Sequence, residues 1–237
     1  MKTTIAMIAS LALASAAPAL AAYQGGAVAD GGTVTGTVKF NGTAPAPKKL
    51  DITKDKEVCA AKEHFDEAIV VGSGGGLKNA VVAITNITKG KAPAGTGTTL
   101  DQKGCQYQPR VTLVEAGAPM KILNDDGILH NIHTFSKKNP PINRAQPKFK
   151  KEMEEKFAQP ETFEVRCDAH AWMAGWIVVQ DHPYYAITDD TGAFKLTDVP
   201  PGDYEIKVWH EKLGEQTQKV TVPAKGEAKA DFSLAAK

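Results

Sequence analysis

The sequence lacks an apolar run long enough to cross a membrane. Its most apolar stretch, Ile5–Leu13, is much shorter than the roughly 20 residues that a spanning helix needs. A basic start precedes this stretch, and residues 19–21 supply the small-x-small cleavage pattern of a secretory signal. We therefore expect residues 1–21 to be a signal peptide, and the rest of the chain to be a periplasmic protein without a membrane span.

An excess of charge of either sign is also missing. The chain has 28 Lys and Arg against 27 Asp and Glu, and Lys2 is the only charged residue within the expected signal peptide. Proteins that bind nucleic acid show a clear basic excess, so we exclude nucleic acid from the expected partners. Hydrophobic residues at 42% and charged residues at 23% are ordinary for a globular protein.

Helical patterns are scarce, whereas 21 glycines and 14 prolines favour frequent turns between short strands. Residues 55–65 predict a short helix that carries Cys59. Residues 149–157 place three apolar side chains four positions apart, which favours a short surface helix or a loop. The other segments predict short strands, so the expected fold class is all-β. The strands predicted before residue 181 are 33–40, 80–84, 110–115, 119–123, 161–166 and 175–180.

Cysteine is scarce too, with only Cys59, Cys105 and Cys167. An odd number in an exported protein leaves one thiol without a partner. Haem attachment needs a C-x-x-C-H string, and a structural zinc site usually shows paired C-x2–4-C knuckles. Neither pattern occurs in the chain.

A short loop carries three different metal-binding side chains. Residues 167–173 (CDAHAWM) place Cys167, His170 and Met173 in the spacing C-x2-H-x2-M. A thiolate, an imidazole and a thioether together suit copper, and a blue-copper site needs one further histidine. Residues 124–131 supply it, because a strand ends there and the chain re-enters a strand at His130. The next residue, Asn131, would hydrogen-bond across to the Cys167 loop and hold the two ligand segments together.

These two segments resemble the ligand segments of the cupredoxins, the small blue-copper proteins. The C-x2-H-x2-M loop is most similar to that of amicyanin, and the resemblance covers roughly residues 108–180. It implies a Greek-key β-sandwich that binds one type 1 copper through His130, Cys167, His170 and Met173. It also implies a carrier of single electrons rather than an enzyme, with a redox partner such as a c-type cytochrome or a dehydrogenase. His170, on the ligand loop, is then the expected exposed edge where electrons enter and leave.

The C-terminal part carries a second resemblance. Residues 185–208 are similar to the strand–turn–strand signature of carboxypeptidase regulatory-like β-sandwiches, which are prealbumin- or Ig-like. The whole chain resembles bacterial exported proteins of the methylamine-utilisation type. We therefore expect a cupredoxin domain with an N-terminal extension over residues 22–180 and the smaller sandwich over residues 181–237. The strand at 32–40 is like the first strand of such a sandwich and is a candidate to pair with it.

Several alternatives remain beside this interpretation. We expect a Cys59–Cys105 disulfide, which leaves Cys167 free as a thiolate, although Cys167 could instead be a buried thiol and Met173 a plain core residue. His133 would face away from His130 on a strand, so we leave it out of the ligand set. Two other functions stay open. One is a copper storage or delivery module, and the other is an envelope-associated structural or binding protein.

Overall fold

The computed structural model describes residues 22–236, and these residues confirm the all-β fold class. The signal-peptide prediction concerns residues 1–21 and lies outside the described part of the chain. Within the described part, no helix has the length and apolar character needed to span a membrane. The helical elements are α1 (Lys56–Cys59) and a 3₁₀ turn (Ser73–Gly75). The strands are β1 (Gln24–Gly26), β2 (Gly32–Asn41), β3 (Val81–Ile84), β4 (Lys89–Lys91), β5 (Thr98–Gln102), β6 (Tyr107–Gln108), β7 (Val111–Glu115), β8 (Pro119–Asn124), β9 (His130–Thr134), β10 (Asn143–Gln146), β11 (Glu152–Lys156), β12 (Glu161–Arg166), β13 (Ala174–Gln180), β14 (Tyr185–Ile187), β15 (Ala193–Val199), β16 (Gly202–His210), β17 (Gly214–Val222), β18 (Glu227–Lys229) and β19 (Phe232–Ala235).

Two β-sandwiches account for most of these strands. The central sandwich packs the sheet β10-β9-β12-β13-β7 against the sheet β11-β8-β5-β6. The terminal sandwich packs β14-β3-β16-β17 against β15-β2-β18, and β19 also pairs with β2. A small parallel pair of β1 and β4 completes the fold.

The terminal sandwich is assembled from both ends of the described chain. β2 pairs antiparallel with β15 and parallel with β18 and β19, so the strand at 32–40 does lie with the C-terminal strands. β3 also precedes the central sandwich in sequence, yet it sits between β14 and β16. The alternating pattern of β2 explains its place, because Val34 and Val38 are fully buried in the core of this sandwich. A boundary at residue 181 therefore does not separate the two sandwiches.

The two sandwiches contact each other through strands that are buried on both faces. β13 directs Ile177 and Val179 into the core of the central sandwich, whereas Val178 faces the terminal one. This explains why its sequence is a continuous apolar run rather than an alternating one. Between the sandwiches, the rings of Trp176 and Trp209 pack edge to face, with their centroids 5.0 Å apart. Beside them, Arg110 forms a largely buried two-pronged ion pair with Glu211, at 2.5 Å and 2.9 Å.

Within the segment 149–157, residues 152–156 form a strand and not a helix, and the residues before them form a turn. β11 pairs antiparallel with β8 over its whole length. Met153 and Phe157 are buried as expected, but Phe149 is 82% exposed and so does not share their face. The four-residue spacing was therefore misleading. Edge pairing with β8 decides the local structure, since it satisfies backbone groups that a lone helical turn would leave to water.

A single carboxylate organises the loop that follows β9. Glu161 accepts hydrogen bonds from the backbone N–H groups of Lys137, Lys138 and Asn139, at 2.5 to 3.0 Å. Burial raises the pKa of Glu161, but these donors outweigh that effect and lower its pKa to about 2. The carboxylate thus stabilises this end of the central sandwich only while it is ionised.

Candidate metal centre

Strand order brings the two ligand segments together. β9 lies beside β12, and their antiparallel register pairs His133 with Arg166, the last residue of β12. Extending that register places Asn131 opposite Asp168, and His130 beside the loop that follows Cys167. The side chain of His130, the first residue of β9, therefore faces the loop that follows β12.

Three predicted ligands converge within this arrangement. The ligand atoms of His130, Cys167 and His170 all lie within 4.8 Å of one another, and the three residues are buried. Nδ1 of His130 is 3.0 Å from Nδ1 of His170, and the Cys167 Sγ is 3.9 Å and 3.6 Å from these two atoms. The point equidistant from the three atoms is about 2.1 Å from each, which is close to metal–nitrogen and metal–sulfur bond lengths of about 2.0–2.3 Å.

Carboxylates on the outer side of each ring direct both Nδ1 atoms at this point. Nε2 of His130 lies 2.9 Å from Oδ2 of Asp126, and Nε2 of His170 lies 2.8 Å from Oδ2 of Asp55. An ionised carboxylate only accepts, so each Nε2 carries a proton and Nδ1 is the atom of each ring that can give its lone pair to a metal. Two Nδ1 atoms and a thiolate that face one another attract a cation, either a proton or a metal ion that displaces it. The donor set of two imidazoles and a thiolate fits copper.

The charges around the point favour a bound cation. Burial lowers the pKa of His130, but hydrogen bonds with Asp126 and Cys167 outweigh it and raise the pKa to about 9. Burial raises the pKa of Cys167, yet His130 and neighbouring backbone donors lower it overall. The thiolate form of Cys167, which is the form that binds metal, is therefore stabilised.

Asn131 bridges the two segments, in the position expected from the sequence. Its Oδ1 accepts the backbone N–H of Asp168 at 2.5 Å, and its Nδ2 donates to Asn143 at 2.7 Å. The backbone carbonyl of Asn131 accepts from the buried hydroxyl of Tyr107 at 2.6 Å. The residue next to one ligand is thus tied to the residue next to another.

Met173 closes the ligand loop. It is 1% exposed, its N–H donates to His170 O at 2.9 Å, and its carbonyl accepts from Cys167 N at 3.2 Å. It packs in the same core as Cys167. The loop is therefore compact, with its first and last ligand residues joined through the backbone.

The remaining cysteines and His133 lie where the sequence places them. Cys59 and Cys105 form a disulfide and Cys167 is a free thiol. His133 is partly exposed and bonds through Nδ1 to Asp168 at 3.0 Å, away from the convergence of donor atoms.

The expectation of an exposed His170 is wrong. Its side chain is 0% exposed, because Asp55 covers Nε2 and the ring of Trp172 packs 5.1 Å from its own. Asp55 belongs to the N-terminal extension, 115 positions away in sequence, and nothing in its sequence context pointed to this role. Asp126 carried a weak signal, since it lies four residues before His130 within the segment already singled out.

A family model matches the C-terminal part of the chain. The family described as "Carboxypeptidase regulatory-like domain" matches residues 176–235, which leaves out β2 and β3 of the terminal sandwich. No curated protein matches the sequence.

Solved structures similar to this chain include cupredoxins. A purple cupredoxin from Nitrosopumilus maritimus is 19% identical, with 35% of this chain and 99% of that one covered, at a TM-score of 0.30. The oxidised P94A mutant of amicyanin is 21% identical, with 38% and 86% covered, at 0.33. A copper-containing nitrite reductase from Thermus scotoductus is 15% identical, with 61% and 28% covered, at 0.33.

Proposed function

We propose that this protein binds one type 1 copper and carries single electrons between redox partners in the periplasm. The observation that supports this most directly is the convergence of two Nδ1 atoms and one thiolate on a single buried point. His130, Cys167, His170 and Met173 would hold the ion. Bound there, copper supplies a one-electron couple between Cu(I) and Cu(II).

The burial of the donor residues favours electron transfer over substrate chemistry. His130 and His170 are 0% exposed, Met173 is 1% exposed and Cys167 is 2% exposed. A catalytic metal site keeps an open coordination position that a substrate can reach. An enclosed site leaves only outer-sphere electron exchange, so we propose a carrier and not an enzyme.

The chain's own residues keep the donor atoms in one arrangement. Asp126 and Asp55 orient the two rings, and Asn131 holds the Cys167 loop beside β9. Fixed donors let both oxidation states share one geometry, which lowers the reorganisation that each electron transfer requires.

Since His170 itself is covered, we propose that electrons reach the surface through Trp172. Its ring packs against His170, and it lines a cleft of ≈ 240 Å³ between the sandwiches. Arg110 borders this cleft on the central side, and Glu211 and Lys212 border it on the terminal side. A partner such as a c-type cytochrome or a dehydrogenase would then contact both sandwiches.

Copper storage or delivery is the second candidate, since a thiolate site with a thioether also binds Cu(I) well. The two candidates differ in colour. A carrier forms an intensely coloured Cu(II) site through thiolate-to-metal charge transfer, whereas a delivery module holds colourless Cu(I) only.

The test is an absorption and EPR titration of the exported chain with Cu(II). We expect one Cu(II) per chain and an intense visible band. Cys167→Ser should lose the band even where copper still binds, and His130→Ala should lose or greatly weaken it. His133→Ala is the matched control and should keep the wild-type spectrum. Wild-type protein that stays colourless with Cu(II) would rule out the carrier.

A further inference from the structure

Residues 48–66, here called the capping loop, lie over the metal centre although they belong to the N-terminal extension. We infer that this loop is a built-in cap of the copper site and that Asp55 is a positioning residue that holds His170 through Nε2. The inference rests on the proposed copper site and concerns what keeps the metal in it.

The capping loop is a closed unit rather than a passing strand. Leu50 N donates to His64 O and Asp66 N donates to Lys48 O, both at 2.8 Å, so backbone bonds join its two ends. Inside it, Nε2 of the buried His64 lies 2.7 Å from the carbonyl of Cys59. The shape of the loop is therefore set internally.

The loop is also anchored on the central sandwich. Ile52 and Val58 pack against the core that contains Cys167, and Cys59 is fully buried in a disulfide with Cys105. These anchors flank Asp55 and fix where its carboxylate can reach.

The side chain of Asp55 contacts His170 and does not cap its own helix. It stands at the N-cap of α1, where an aspartate normally accepts an N–H of its own helix, yet its side chain makes no capping bond. Its backbone is left-handed, with φ 49° and ψ 42°, a region that non-glycine residues adopt only in a small minority of positions. The Oδ2 atom instead accepts from His170 Nε2 at 2.8 Å. The Asp55 carboxylate therefore contacts the proposed metal ligand His170 instead of capping α1.

The disulfide connects the supports of both histidines. On its far side, the N–H groups of Gly104 and Cys105 donate to Asp126, the carboxylate that holds His130. The carbonyl of Cys105 also accepts from Trp172 Nε1 at 3.1 Å. The capping loop and the His130 support are therefore one covalently linked frame around the site.

The experiment measures how fast the copper-loaded protein loses its visible band to excess chelator. We expect Asp55→Ala to lose copper about 10–100-fold faster than wild type, because removal of a group that supports a metal ligand lowers metal affinity by about that factor. Asp55→Asn should lose copper more slowly than the alanine variant, because its amide oxygen still accepts from Nε2–H. Asp51→Ala, an exposed aspartate of the same loop, is the control and should match wild type.

A second readout does not depend on copper. In metal-free protein, the NMR signal of His170 Nε2–H should exchange slowly with solvent in wild type and quickly in Asp55→Ala. If wild type forms no coloured site, the proposed function fails, and this signal still decides on the cap. If Asp55→Ala matches Asp51→Ala in both measurements, the cap is overturned.

The double variant Cys59→Ser with Cys105→Ser tests the anchor. It should lose copper faster than wild type, provided that circular dichroism shows an intact β fold. A folded double variant with the wild-type rate would overturn the part assigned to the disulfide.

Discussion

Replacing Asn131 by alanine probes how far the copper site depends on the link between its two segments. Asn131 is 7% exposed, and its side chain accepts from Asp168 N and donates to Asn143 Oδ1. The substitution removes both hydrogen bonds, which together contribute about 1–3 kcal/mol of folding stability. Metal-free protein should lose that amount.

Copper binding should weaken as well. Asn131 adjoins His130 and holds the residue that adjoins Cys167, so its loss lets the two ligands separate. Removal of such a support typically lowers metal affinity about 10–100-fold, which corresponds to about 1.4–2.8 kcal/mol. In copper-saturated protein, this loss adds to the loss of folding stability.

The assay combines urea unfolding of the metal-free and copper-loaded forms with a competition titration against a chelator. Asn139→Ala is the matched control, since Asn139 is equally buried and makes two hydrogen bonds with the Gln159 backbone away from the site. It should lower stability and leave copper affinity unchanged. An Asn131→Ala protein with wild-type copper affinity would show that the bridge does not hold the ligands.

Three further predictions test the interface, a titrating group and the axial ligand. Arg110→Ala should lower the free energy of unfolding by about 3 kcal/mol or more, measured in urea, because it leaves the buried Glu211 carboxylate without its partner; a loss below 1 kcal/mol would contradict this. Glu161→Gln should remove the part of wild-type stability that is present above pH 4.5, the ordinary pKa, and lost as pH falls toward about 2. Urea unfolding across that range should therefore give a flatter curve for the variant, and parallel curves would refute it. Met173→Gln should lower the reduction potential in voltammetry yet keep the visible band that depends on Cys167, since a harder oxygen donor favours Cu(II); an unchanged potential would remove Met173 from the ligand set.

Local patterns were sufficient where the chemistry is local. Cys167, His170 and Met173 lie on one loop, so their spacing in the sequence already reflects their proximity in space. Turn signals and alternation likewise located β7, β8, β12 and β13 to within a few residues. The same reasoning failed for β11, because its partner strand, and not its own periodicity, determines which side chains are buried.

Contacts between distant segments needed the tertiary structure. Sequence patterns alone predicted an all-β chain with a free thiol, a nearby imidazole and thioether, and a second histidine segment with its supporting asparagine. Only the folded chain shows that Asp55 covers His170 and that β3 belongs to the terminal sandwich together with the expected β2. The physical reason is that a hydrogen bond across 115 positions leaves no periodicity or spacing in the sequence. Such contacts follow from the packing of apolar faces, which brings polar side chains together wherever the strands and loops place them.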